Sequence, residues 1–224
     1  MRAWLISQQL KRSEQIQVIP CCVDFQRFEG AQLSESKNDR FEVVYAGSLI
    51  GLYLVEEMGR FFSSVKALRP DAFLRILSMS PPKQGIEALR RAGVDDSDFE
   101  ITAVPPDKVP SFLTQARLGV SFRKSTFAQI AALPTKIPEY LAAGLPVVCN
   151  SAIGDMDDLV GREQVGVVLQ DFEETLYQQA AVQALALADD KSIRDRTKRV
   201  AHEYFDLDEV GGKRYVELYR RLLR

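Results

Sequence analysis

FEVVYAGSLIGLYLVEEMGRFFSSVKAL, residues 41–68, is the stretch on which the fold turns. The run FEVVYAGS is apolar and β-branched and ends in a glycine turn. From there Leu54, Met58, Phe61, Phe62, Val65 and Leu68 recur at helical spacing. The segment reads as strand, loop and helix. Downstream the same grammar repeats. Strand-like runs FLRILS, FEITAV, LGVSF, LPVVCN and VGVVL alternate with helices expected over residues 84–92, 107–115, 135–143 and from about Asp155. Several of the strands are apolar nearly throughout. A strand in a sheet with one wet face would alternate, so these runs imply a parallel sheet covered by helices on both faces. The expected fold is a doubly wound α/β domain. Upstream, IQVIP at residues 16–20 reads as a further brief strand stopped by Pro20, with a loop to about Asn38.

Three helical segments are expected to close the chain, over residues 173–188, 192–204 and 210–223. The last carries Val210, Tyr215, Leu218, Tyr219 and Leu222 as an apolar stripe beside a basic face. Such a stripe either packs on its own domain or docks a separate one. No internal repeat and no low-complexity linker divides the 224 residues, so one domain is favoured over two.

Composition excludes several classes. With 46% hydrophobic and 27% charged residues the chain has the balance of an ordinary globular protein rather than of disorder. A net charge of −2 and a pI of about 5.6 supply no global positive field for nucleic acid or anionic lipid. No stretch reaches the length of a membrane span, and the N-terminal apolar run is too short for a signal peptide. Cys21, Cys22 and Cys149 have no metal-ligand spacing and fit reduced thiols. A cytoplasmic protein with no bound cofactor is the expectation.

In open α/β sheets ligands bind beyond the carboxyl ends of the strands, so the loops after each strand are where chemistry is expected. In AGSLIGLY, Gly47 and Gly51 flank the first such turn, where backbone without a Cβ can approach a phosphate. Glycines in such turns also serve backbone geometry alone. LPTKIPEYLAAGLPVVCN, residues 133–150, is more specific. Pro134 and Thr135 read as a helix start with Thr135 as its cap, and Gly144 and Pro146 stop the helix before a buried strand. The first turn then offers unpaired N–H groups, and Lys136 adds a full charge, a combination suited to a diphosphate. Glu139, one turn on, can accept paired hydrogen bonds from ribose hydroxyls, or simply pair with Lys136 on the surface. Arg123 and Ser125, in the RKS run after LGVSF, face the same strand edge. His202 reads as a structural histidine, and Asp155, Asp157 and Asp158 as the acidic start of a helix rather than a metal cluster.

PTKIPEYLAAGLPVV resembles the donor-binding helix and strand of the retaining, two-domain GT-B nucleotide-sugar glycosyltransferases, the glycosyl transferases group 1. VIPCCVDFQRF, VVYAGSLIGLY, VPSFLTQARLGVSF and the closing FDLDEVGGKRYVELYRRLL follow in that family's order, from about Val18 to the end. The resemblance implies a Rossmann-like C-terminal half of a GT-B architecture, with residues 1–15 the remnant of an interdomain connector and 16–224 the donor-binding domain. It implies a nucleoside-diphosphate sugar as donor, a glycan, lipid or small molecule as acceptor, and metal-independent transfer with retention. Glu139 would contact the ribose, Gly47 and Ser48 the phosphates together with Thr135 and Lys136, and backbone near Val104 the base. Lys136 and Arg123 would stabilise the leaving diphosphate. Reaction in the cleft between two halves implies an N-terminal acceptor domain or self-association. The sequence departs from the pattern at Ser48 and Tyr53, where the family has Arg and Lys, and at Ala131, where it has the first of two glutamates. Ser125, Thr126 and Gln129 are the substitutes nearest in sequence. Two other classes stay open: a sugar-nucleotide epimerase, which would need more acid/base groups than one histidine, and a non-catalytic nucleotide-binding or partner module.

Overall fold

The computed structural model describes residues 2–29 and 40–223. Six parallel strands form one sheet: β1 Phe41–Ala46, β2 Ala72–Leu77, β3 Phe99–Thr102, β4 Leu118–Ser121, β5 Val147–Asn150 and β6 Gly166–Leu169. Their spatial order is β3-β2-β1-β4-β5-β6, with β1 pairing in register from Phe41 opposite Ala72 to Ala46 opposite Leu77, and Val44 lying opposite Gly119 of β4. The order reverses direction between β1 and β4, the arrangement of a doubly wound Rossmann-like domain.

The helices are α1 Arg2–Ser7, α2 Gln26–Glu29, α3 Val55–Leu68, α4 Lys83–Arg91, α5 Val109–Gln115, α6 Lys136–Ala142, α7 Met156–Glu163, α8 Glu174–Asp189, α9 Ile193–Phe205 and α10 Lys213–Leu222. Those that pack on the sheet form two layers. Val43 and Tyr45 of β1 enter one core with α3, α4 and α8, while Val44 and Ala46 enter the other with α5, α6, α7 and α9. The central strands β4 and β5 are buried at every position and so need apolar residues in succession, which is why they read as unbroken runs, while the edge strand β3 has no fully buried residue.

Two readings are corrected. IQVIP is not a strand: residues 16–20 have no regular structure, and pairing in this region is confined to an isolated bridge from Val23 to Asp206. Val23 N donates to Phe205 O at 2.7 Å and Leu207 N to Val23 O at 3.0 Å, so this segment is tied to the end of α9 and not to the sheet. The expected final helix is two elements, a π-helical turn at Leu207–Gly212 and then α10. Asp206 holds that turn, its Oδ1 accepting from the amides of Asp208 and Glu209 at 2.9 and 2.8 Å. The loop read to about Asn38 lies partly outside the described residues. Among the described residues no helix is long and apolar enough to cross a membrane.

Candidate functional site

The carboxyl ends of β1, β2 and β3 and the start of α6 enclose a cleft of about 450 Å³. The loop after β1 is held on one side of it by the chain after β4: Leu54 N donates to Phe122 O, and Lys124 N to Leu52 O. Gly47 is required here for a local reason. A Cβ on it would lie 2.5 Å from the Tyr45 hydroxyl, which itself donates to Ser48 O at 2.7 Å. The turn is thus shaped by the tyrosine under it, and Ser48 is left facing the cleft. Gly51, at φ +79°, makes the second bend.

The floor opposite α6 is a group of serines. Ser48 Oγ lies 3.3 Å from Ser80 Oγ, Leu49 N donates to Ser80 Oγ, and Ser80 N donates to Ser78 Oγ at 3.1 Å. These hydroxyls can donate or accept according to what they face. Ser78 and Ser80 follow β2 and were not singled out by sequence; the rule that sites lie beyond strand ends is the signal that could have found them.

On the other wall α6 is set rigidly. Ile137, Pro138, Tyr140, Leu141 and Ala142 are buried, and the Tyr140 hydroxyl accepts from Ala46 N at 2.8 Å, fastening the helix to the end of β1. Burial pushes the Tyr140 phenol above its usual range, so it stays neutral. Gly144, at φ +86°, ends the helix as expected, with Leu145 N donating back to Tyr140 O. At the start of α6 the expectation of a capping hydroxyl fails. Thr135 is exposed, has helical dihedrals of −55° and −23°, and makes no side-chain cap. A capping hydroxyl needs the extended backbone of a residue outside the helix, which Thr135 has already left.

Gly47, Ser48, Val104, Lys136 and Glu139 line the one cleft. Lys136 Nζ is 3.4 Å from Glu139 Oε2, and both side chains are largely buried, at 25% and 19% exposure. Val104 and Pro106, from the loop after β3, also line it. Arg123 is placed elsewhere. Its guanidinium sits over the Tyr53 ring, 5.4 Å from the centroid, and lines a small niche with Ser121, Cys149 and Asn150 behind α6. Among the described residues its Nε and the Ser121 Oγ have no hydrogen-bond partner. Ser125 donates to Ser151 O, Gln129 is buried, and neither they nor Thr126 reach the cleft lining. Cys149 is buried, its thiol pushed up to about 12 by burial and, in smaller part, by Asp157. His202 stacks on Phe25 at 3.6 Å and faces Asp206. Arg27, on α2, was not singled out by sequence and stands in the cleft wall.

No protein-family model matches the sequence, and comparison with curated proteins gives no significant match. Solved structures do match. The fold is shared with glycosyltransferases. Sucrose-phosphate synthase from Thermosynechococcus elongatus aligns at TM-score 0.73 and 16% identity over 99% of this chain and 56% of its own. A glycosyltransferase from Rickettsia africae aligns at TM-score 0.78 and 14% identity over 98% and 62%. HepE from Anabaena, solved with UDP-glucose, aligns at TM-score 0.72 and 16% identity over 98% and 61%. The chain thus spans little more than half the length of these structures.

Proposed function

We propose that this chain is the donor-binding half of a glycosyltransferase, taking a nucleoside-diphosphate sugar and transferring its sugar to an acceptor hydroxyl. The observation that carries the reading is the convergence of Gly47, Ser48, Lys136, Glu139 and Val104 on one cleft at the carboxyl edge of the sheet. The fold shared with glycosyltransferases supports it.

In this reading the Glu139 carboxylate accepts from the ribose hydroxyls, and backbone beside Val104 meets the base. The diphosphate lies between the Gly47–Ser48 turn and the start of α6, where Thr135 and Lys136 stand. Negative charge developing on the departing phosphate is met by Lys136, a cation already in place and partly screened from water. Arg123 would join it by leaving the Tyr53 ring, since its Nε has no partner to give up among the described residues. Metal-free transfer of a hexose with retention, as in the group 1 enzymes of polysaccharide biosynthesis, is the finer form of the proposal, with a cytoplasmic location. Residues 1–15 would connect to an acceptor domain, and residues 16–224 would form the donor domain, acting with that acceptor domain or with a second copy.

Calorimetric titration of the chain with UDP, GDP, ADP, TDP and CMP, with and without magnesium, tests the reading. Binding of one nucleoside diphosphate independent of magnesium is expected, and Glu139→Ala weakens it by about 1–3 kcal/mol without unfolding the protein. No binding to any of them moves the assignment to the non-catalytic module, which the alanine at position 131 also suits.

A further inference from the structure

Arg27 falls within VIPCCVDFQRF but was given no role there, and its guanidinium holds three elements together. Nη2 donates to the Pro106 carbonyl at 2.6 Å, and Nη1 lies 3.7 Å from Glu139 Oε1. Lys136 takes the other oxygen of that carboxylate. Glu139 is therefore held from both sides, one cation to each oxygen. A carboxylate offers about four lone-pair sites, so positions facing the cleft stay open to hydroxyl donors. Pro106 follows Pro105 in the loop after β3, a stiff pair beside Val104. An arginine can serve two acceptors at once through separate nitrogens of one rigid plane; a lysine presents a single nitrogen.

We propose that Arg27 is a positioning residue that fixes the Glu139 carboxylate relative to the Pro106 carbonyl, so that selection of the nucleoside part of a nucleotide depends on it and selection of the phosphates does not. This rests on the reading of the cleft as a nucleotide-sugar site. The physical reason is preorganisation. Without Arg27 the Glu139 side chain keeps, among the described residues, the Lys136 ion pair on its own helix turn, and the loop at Pro106 loses its hydrogen bond to α2, so both must be ordered when the ligand arrives. The phosphate end, built from the Gly47–Ser48 turn and Lys136, keeps its own supports.

The test is calorimetry on the whole chain with the preferred nucleoside diphosphate, its nucleoside and inorganic pyrophosphate. The variants are Arg27→Ala, Arg27→Lys, Glu139→Gln and the double Arg27→Ala/Glu139→Gln. Arg27→Ala should weaken the nucleoside and the nucleoside diphosphate alike, by about tenfold, the loss of one charge-assisted contact, and leave pyrophosphate unchanged within about twofold. Arg27→Lys should recover only part of that loss. In the Glu139→Gln background the effect of Arg27→Ala should shrink, because the group it positions is gone. Equal loss for pyrophosphate, unchanged nucleoside binding, or full additivity with Glu139→Gln would each overturn the proposal. Should Arg27→Ala fail to fold, Arg27→Lys and Arg27→Gln carry the same comparison. If the wild-type chain binds no nucleotide, the donor-site reading falls and this inference with it. If the wild type binds and Arg27→Ala is indifferent, only the role of Arg27 falls.

Discussion

Helices α6 and α10 are both written with apolar residues on one side, and the protein treats them in opposite ways. In α6 five of seven residues are buried, against the sheet and α9. In α10 none of the ten is buried against the described residues: Tyr215, Tyr219 and Leu222 stand 53%, 61% and 71% exposed. What ties α10 down is polar, the Asp206 turn before it and a hydrogen bond from Arg214 Nη1 to Val18 O near the other end of the chain. Amphipathic sequence makes a helix competent to be buried; only a neighbour of matching shape buries it. In α6 that neighbour is Gly119 on β4, whose missing side chain leaves space for the Tyr140 ring.

Four substitutions sharpen or break this contrast. Tyr140→Ala should have the largest effect, about 3–5 kcal/mol in chemical denaturation, because it empties a buried site and releases the Ala46 amide. Gly119→Ala comes next. A Cβ there would lie 2.5 Å from the Tyr140 ring, and the overpacking should cost about 1–3 kcal/mol, with α6 displaced in the crystal structure of the variant. A neutral result would mean that α6 is not seated as described. Asp206→Ala should cost about 1 kcal/mol at neutral pH through loss of the cap on the turn before α10. That contribution depends on pH in a definite direction. Burial opposes the charged carboxylate, but the amides of Glu209 and Asp208 and the His202 ring outweigh it and hold the carboxyl below its ordinary 3.8. A depressed carboxyl stabilises the fold above its unfolded value and stops doing so as pH falls through the folded one. The difference in Tm between Asp206→Ala and the parent should therefore persist above pH 3.8 and close below it. Tyr219→Ser should have the smallest effect, within about 0.5 kcal/mol, since an exposed ring has little to lose. A large loss of stability there would show that the stripe of α10 is covered in solution, and concentration dependence of Tm would show by a second copy.

The site divides along a similar line. Lys136 and Glu139 were legible because helix spacing puts residues three apart on one face, and their 3.4 Å approach follows from that spacing. Gly47 was legible as a turn glycine, but not the reason for it, since Tyr45 meets it only once the strand is pleated and the loop folded back. Arg27 and Ser80 were not legible as cleft residues: Arg27 reaches Pro106 across a sequence separation of 79, and Ser80 reaches Ser48 across 32. No local pattern encodes such approaches. Arg123 shows the converse. It follows β4 at the right edge, yet its side chain lies on Tyr53, because the loops after β1 and β4 pair there.

The sequence alone determined the alternation of strands and helices and the double covering of the sheet, because both are written in periodicities that every few residues repeat. It determined the glycine stop of α6 for the same reason, a local backbone demand met by a local residue. Tertiary structure alone decided which helices are buried, that residues 16–20 form no strand while Val23 is tied to the end of α9, and which side chains share the cleft. Those outcomes depend on surfaces brought together from distant parts of the chain, and packing there is decided by shape and by unpaired polar groups, neither of which a single segment carries.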